Sequence, residues 1–108
     1  MLFRSLQARI IGDVDRALAA WRGAQSSLAA MRELRAAQQA RARSLKEQFD
    51  AGAAEAFDIL TAEAELAEAE LFHWEARIKE LRALGELEDA IQFPLSLDLS
   101  LNPRRSAP

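Results

Sequence analysis

Cysteine and tyrosine are absent from the 108 residues of this chain, and glycine and proline are scarce. Without cysteine the chain has neither a disulfide framework nor a thiolate metal site. Four glycines and three prolines provide few places where a helix must stop, and two of the prolines lie close to the C-terminus. These scarcities favour long helices in one small domain, with no room for a second.

Long apolar runs and a dominant charge of one sign are also missing. No uninterrupted apolar stretch approaches the roughly 20 residues of a membrane-spanning helix, and the N-terminus lacks the basic-then-apolar profile of a signal peptide. The formal net charge is -3 with both signs interleaved, so no basic stripe indicates a nucleic-acid partner or an anionic membrane surface.

What the chain does contain is apolar periodicity. In the first half it runs from Ile10 to Phe49 without a proline. Apolar side chains recur at alternating steps of four and three, which is a heptad seam. Arg35 and Gln38 occupy two seam positions and predict looser packing there. The seam consists of Ile10, Val14, Ala17, Trp21, Ala24, Leu28, Met31, Ala42, Leu45 and Phe49.

The second half predicts another long helix, which begins after Gly52 and ends near Gln92, just before Pro94. A glycine stop between two seams predicts an antiparallel helical hairpin over residues 1–93, with its turn at about residues 50–55. We expect Phe57, Leu60, Ala64, Ala67, Leu71, Trp74, Ile78 and Leu81 to form the second seam. Pairing about the turn then brings Phe49 to Phe57, Met31 to Trp74 and Leu28 to Ile78.

Another stripe of the second helix is expected to stay uncovered in a single hairpin. It consists of Ile59, Ala62, Leu66, Ala69 and Ala76, with His73 interrupting it. Past Pro94, leucines alternate with polar residues, but no partner strand exists for them. We therefore predict that residues 94–108 form an irregular or disordered tail.

Catalytic and metal chemistry finds little support in the residue pattern. His73 is the only histidine, so a metal site is not expected, and we interpret it as a helix-surface contact. The serines and threonines have no base arranged beside them, so we expect no enzyme and no cofactor. The glutamates of the second helix are interpreted as a solvated face, balanced by arginines across the hairpin, including Arg32, Arg35, Arg41 and Arg43.

The residues around the turn carry a resemblance. Phe49-Asp50-Ala51-Gly52 is followed by Asp58-Ile59-Leu60, Ala62-Glu63, Leu66 and Ala69-Glu70. This order resembles the turn and following helix of the outer-membrane efflux proteins, the TolC-like family, in its C-terminal hairpin portion. The resemblance implies an all-α fragment of a periplasmic helical duct, without the family's β-barrel strands. It also implies a trimeric outer-membrane channel subunit of a tripartite efflux or type I secretion system, docked to a periplasmic adaptor and an inner-membrane pump.

The same resemblance implies roles for the residues at the turn. Asp58 matches the acidic position that can ring the periplasmic constriction, and Thr61 stands where some relatives carry a second acidic residue. We therefore take Asp58 and Thr61 as pore or gate candidates. The candidates for adaptor docking at the tip are Phe49, Asp50, Gly52 and Phe57. The competing interpretation of Asp58 is a carboxylate that favours the start of the second helix.

A different function class stays open beside the duct. The chain also fits the α-helical hairpin of a periplasmic adaptor, or a generic coiled-coil interaction module. Arg43 and Leu45 only loosely mimic the pattern that adaptors carry before the turn. The resemblance places this segment in the periplasm as part of an outer-membrane protein. Such a protein enters through a signal sequence, so we expect the reading frame to begin upstream of Met1.

Overall fold

The computed structural model describes residues 2–101, with side chains described for residues 2–95. Two helices account for almost all of this part: α1 spans Leu2–Asp50 and α2 spans Ala56–Leu101. The predicted all-α fold, an antiparallel helical hairpin, is confirmed, and the described residues contain no strand. Neither helix has a stretch apolar enough, over a sufficient length, to cross a membrane within that part of the chain.

Residues 51–55 form the turn, and backbone hydrogen bonds explain why it lies there. The amide of Gly52 donates to the carbonyl of Phe49 (2.9 Å), and that of Ala53 donates to the carbonyl of Gln48 (2.7 Å). These two bonds are those of a Schellman motif, which satisfies carbonyls that the end of α1 leaves without helical partners. Gly52 has φ 78°, the left-handed conformation that the motif requires. The predicted reversal at Gly52 is confirmed.

The chain divides into two compact units. One unit, Gln25–Lys79, contains the second half of α1, the turn and the first half of α2. We call it the turn unit. The other, the terminal unit, combines the chain up to Ala24 with the chain from Glu80 onward.

The predicted seam of α1 matches the burial pattern in both units. In the turn unit Leu28 is buried, whereas Met31, Ala42 and Leu45 are half-buried. In the terminal unit Ile10, Val14, Ala17, Trp21 and Ala24 are half-buried at the same spacing. The last member, Phe49, is exposed. Arg35 and Gln38 are half-buried, so two polar side chains do lie in this seam.

The predicted seam of α2 is wrong, because the helix presents the other stripe to α1. Trp74 and Leu71 are 60% and 56% exposed, and Ile78 is exposed as well. The expected pairs of Met31 with Trp74 and of Leu28 with Ile78 are therefore not seam contacts. The side chains that the turn unit covers on α2, which we call the inner seam, are Ile59, Ala62, Leu66, Ala69, His73 and Ala76.

Side-chain volume explains why this face is the one that packs. Ala62 and Ala69 are 0% and 2% exposed. Alanines let the α2 backbone approach α1 closely, so that the larger α1 residues such as Leu28 and Met31 fill the space between the helices. The pattern of the terminal unit is consistent with this, because Ala83 and Leu87 are buried there at the same three-four spacing.

The end of α2 also differs from the prediction. The helix continues through Pro94 to Leu101, so residues 94–101 are helical, where an irregular tail was expected. A proline inside a helix removes one hydrogen bond and costs about 3 kcal/mol. In the terminal unit Pro94 is half-buried and lines an apolar groove together with Ile10, Val14 and Ile91. The rest of the predicted tail, residues 102–108, lies outside the described residues.

Candidate functional site

Asp58 is tied to the first turn of α2. Its Oδ2 accepts a hydrogen bond from the backbone amide of Glu55 (3.3 Å), and the Glu55 carbonyl accepts from the amides of Asp58 and Ile59. Glu55 is therefore the N-cap residue, and Asp58 supplies the returning half of a capping box. A carboxylate at this position also interacts favourably with the helix dipole. The side chain stays exposed, so it remains accessible to solvent and to a partner.

A groove beside the turn collects three of the predicted site residues. It has a volume of about 340 Å³ and lies wholly within the turn unit. From α2, Phe57, Asp58 and Thr61 line it. Thr61 is held in place because its Oγ1 donates to the carbonyl of Phe57 (2.9 Å). The groove residues from α1 are Arg41, Ser44, Leu45 and Gln48.

The other predicted tip residues do not line this groove. Phe49, Asp50 and Gly52 lie at the end of α1 and in the turn itself, where all three are exposed. Phe57 is 74% exposed and was expected to pack against Phe49 in the seam. The tip therefore presents two uncovered aromatic side chains, one at the end of α1 and one at the start of α2.

Charge is distributed unevenly along the groove. The Arg41 guanidinium forms an ion pair with Glu65 of α2, as expected of arginines facing the glutamates across the hairpin. Asp58 contributes a carboxylate to one wall of the groove and Arg41 a guanidinium to the other. With charged and polar side chains on both walls and Phe57 as the one aromatic residue that lines it, the groove suits a polar segment of a protein partner better than a small apolar ligand.

His73 is the residue that sequence reasoning placed wrongly. It was interpreted as a surface contact, but its side chain is only 9% exposed, in the inner seam. Nη1 of Arg35 lies 3.4 Å from Nδ1, so the guanidinium donates to a neutral imidazole. Burial lowers the pKa of His73 below the ordinary 6.5, and the charges of Arg35, Arg32 and Arg77 lower it further.

The sequence did carry a signal for this buried polar cluster. His73 continues the four-three spacing of Leu66, Ala69 and Ala76, and Arg35 and Gln38 interrupt the seam of α1 on the opposite helix. Treating Arg35 and His73 as interruptions of two different stripes hid the fact that they face one another. Gln38 Oε1 is buried without a hydrogen-bond partner among the described residues. The described part of the chain has no group of three or more acidic or histidine side chains placed to hold a metal ion.

The turn unit also exposes the face of α2 that points away from α1. We call it the outer stripe: Phe57, Leu60, Ala64, Ala67, Leu71, Trp74 and Ile78, all exposed. Its members repeat at three-four spacing, as the inner seam does. At 3.6 residues per turn, the two lie about 150° apart around the helix. α2 therefore carries two apolar seams on nearly opposite sides, of which one is covered.

Comparison with known proteins gave no match: no protein-family model, curated protein or solved structure matches the chain.

Proposed function

We propose that the chain is the helical hairpin portion of an outer-membrane channel subunit, in which it forms part of the periplasmic duct wall and its adaptor-docking tip. The sequence resemblance at the turn motivates the family. Trimeric assembly, the adaptor and the inner-membrane pump belong to the same proposal. Its localisation is the outer membrane, with this segment in the periplasm.

The observation that carries the proposal is the pair of opposite seams on α2. A helix in the core of a globular bundle is covered on several sides, and a helix on its surface has one apolar face. A helix in a single-layer wall needs a neighbour on each of two opposite sides. α2 has this arrangement in the turn unit, where Ala62 and Ala69 are covered while Leu71 and Trp74, across the helix, are exposed.

The turn supports the docking part of the proposal. Exposed Phe49 and Phe57 flank a turn that is fixed by backbone hydrogen bonds, and Asp58 and Thr61 line the groove next to it. Aromatic side chains on a rigid element are the anchors on which protein interfaces depend. A tip of this kind fits the helical end of a partner protein.

Fractionation of the parent protein tests the proposal. We expect a tagged parent, expressed from its own reading frame in a host with two membranes, to be recovered in the outer membrane. Purified parent should then give stepwise conductance in a planar lipid bilayer. Gly52→Val should reduce recovery with a co-expressed adaptor, with Ile11→Val, at an exposed position far along α1, as the matched control.

Two results would overturn this proposal. Recovery in the soluble periplasmic fraction would favour the adaptor hairpin or the generic coiled-coil module. Outer-membrane recovery without any conductance would rule out the channel.

A further inference from the structure

We propose that Arg32, Arg35 and His73 form a binding site for a small tetrahedral oxyanion, such as sulfate or phosphate, on one flank of the hairpin. All three residues belong to the turn unit. The site is separate from the groove beside the turn, and it requires neither a membrane nor a second copy of the chain.

The first observation is the charge of Arg35 within the seam. Its side chain is half-buried, and a guanidinium stays ionised at any ordinary pH. Charges inside proteins are normally paired with an opposite charge. Here the guanidinium donates to Nδ1 of His73, a neutral acceptor at 3.4 Å, and no carboxylate among the described residues forms an ion pair with it. Arg35 therefore lacks a counter-charge, and its remaining N–H donors can bind an anion.

The register of the hairpin brings two further arginines to the same place. Arg35 and His73 lie at one height on the two helices. Because the helices are antiparallel, Arg32, three positions before Arg35, comes to the height of Arg77, four positions after His73. At 100° per residue, Arg32 and Arg77 fall on the same flank of the seam. Two positive charges at one height repel each other unless an anion lies between them.

The electrostatics of His73 agree with this placement. Burial is the first cause of its lowered pKa, and the charges of Arg35, Arg32 and Arg77 are the others. All the charges that lower this pKa are therefore positive and act on one buried imidazole. A negatively charged ligand is the kind of group that such a positive site attracts.

The neighbouring carboxylates do not neutralise the cluster. Those nearest along the two helices are Glu33, Glu70, Glu75 and Glu80. None of them forms an ion pair with Arg32 or Arg35 in the part of the chain that the structure describes. Arg77 and Glu80 have interactions of their own, so Arg77 contributes its charge and need not bind the anion directly. An oxyanion supplies the missing negative charge together with several acceptors for the planar guanidinium groups.

The exposure of the three residues indicates the size of the ligand. Arg32 is exposed, Arg35 is half-buried and His73 is only 9% exposed. An anion that enters from the flank meets Arg32 first and then lies against Arg35 and the imidazole. A small free ion can reach this depth, whereas a phosphate headgroup held in a bilayer surface reaches Arg32 alone.

Binding of an anion here has a consequence for the protonation of His73. A negative charge beside the imidazole stabilises its protonated form, so the bound anion raises the pKa of His73. This effect is opposite in sign to that of the arginines. By linkage, the anion binds more tightly as the pH falls and His73 becomes protonated.

Nuclear magnetic resonance of the purified full chain tests the site, because His73 is the only histidine and its imidazole resonance is unambiguous. The chain is titrated with sulfate at constant ionic strength, with chloride making up the difference. Sulfate keeps its double charge throughout the pH range, so the titration reports on His73 alone. We expect a shift that saturates, and a higher pKa of His73 in saturating sulfate than in chloride.

Three variants with the same loss of charge locate the site. Arg32→Gln and Arg35→Gln should each raise the dissociation constant for sulfate about tenfold or more, because each loses a charge-assisted hydrogen bond. Arg43→Gln, at an exposed position of α1 in the same unit, is the matched control and should leave it unchanged. Helix content by circular dichroism confirms that each variant still folds.

Four results would overturn the site: a shift in sulfate no larger than in chloride, an unchanged pKa of His73 in saturating sulfate, binding that Arg32→Gln does not weaken, and an equal loss of binding in Arg43→Gln. A shift caused by phosphatidylglycerol vesicles but not by sulfate would also overturn it, since the ligand would then be a lipid surface. Failure of the parent to reach the outer membrane would count against the duct alone, because this titration uses the isolated chain.

Discussion

At the scale of single residues, Gly52 is the position where the backbone conformation most restricts which amino acid can be present. Its φ of 78° is unfavourable for residues with a Cβ, yet a Cβ built there meets no atom within 4 Å. The penalty of a substitution is therefore conformational and not steric. Gly52→Val should lower the free energy of unfolding by about 1–2 kcal/mol, and Gly52→Asn by less, because asparagine tolerates the left-handed region. Urea unfolding of both variants checks the order, and equal losses would contradict it.

His73 predicts how stability depends on pH. Its pKa is lowered in the folded chain, so at pH values between that pKa and 6.5 the unfolded chain binds more protons. The contribution of the neutral imidazole is therefore present above pH 6.5 and is lost as the pH falls through the folded pKa. We expect the thermal midpoint to decrease from pH 7.5 to pH 5.5.

The matched variant for this prediction is His73→Leu, which places an apolar side chain in the inner seam. It should flatten the dependence between pH 7.5 and 5.5, because no other histidine is present. A variant with the same slope as the native chain would assign the effect to other groups. Arg35→Gln should reduce the slope without removing it, since burial is the first cause of the lowered pKa.

At the scale of the helices, the rotation of α2 can be tested with two alanines that are two residues apart. Ala62 is fully buried and Ala64 is exposed. Ala62→Leu should destabilise the hairpin by about 1–3 kcal/mol because it overpacks the inner seam. Ala64→Leu should stay within about 0.5 kcal/mol. If Ala64→Leu lost more unfolding free energy than Ala62→Leu in denaturant unfolding, the seam predicted from the sequence would be the correct one.

That seam was wrong for a physical reason. Periodicity identified two stripes on α2 correctly, and it identified the turn and the seam of α1. It did not decide which stripe faces α1, because hydrophobicity alone favours the larger side chains of Leu71 and Trp74. Close approach between two helices rewards small residues such as Ala62 and Ala69 instead, and this becomes apparent only when both helices are placed together.

The end of α2 is a second place where the sequence pattern alone did not predict the structure. Pro94 is a strong stop signal in a sequence, yet it continues the four-three spacing of Leu87 and Ala90. In the structure this position is half-buried in an apolar groove of the terminal unit. Local propensity predicted an end where packing favours continuation, which is the common way in which tertiary contacts override a helix breaker.

At the scale of the whole molecule, the two apolar faces of α2 and the tip are expected to serve different roles. The outer stripe concerns assembly, whereas Asp58, Thr61 and the turn concern what passes through or docks onto the proposed duct. Sequence reasoning gathered Phe57, Asp58 and Thr61 on the strength of a resemblance, and the structure brings these three to one groove. Of the two interpretations that the sequence left open for Asp58, the bond from the Glu55 amide supports the carboxylate at the start of α2. The sequence did not identify Glu55 as its partner, because that bond depends on the geometry of the turn.

Because Asp58 accepts the bond from the Glu55 amide, its charge and its role as a hydrogen-bond acceptor can be removed separately. Asp58→Asn keeps an oxygen that accepts from the Glu55 amide but removes the charge, whereas Asp58→Ala removes both. Losing this capping-box carboxylate should cost about 0.3–1 kcal/mol in the alanine variant. If carboxylates ring a pore mouth in the assembled parent, both variants should lower cation selectivity to the same extent, because that effect follows charge alone. Single-channel recording measures selectivity, and denaturant unfolding measures the cap. Unchanged selectivity in Asp58→Asn, together with destabilisation of Asp58→Ala, would restrict Asp58 to its role at the start of α2 and would remove it from the proposed gate.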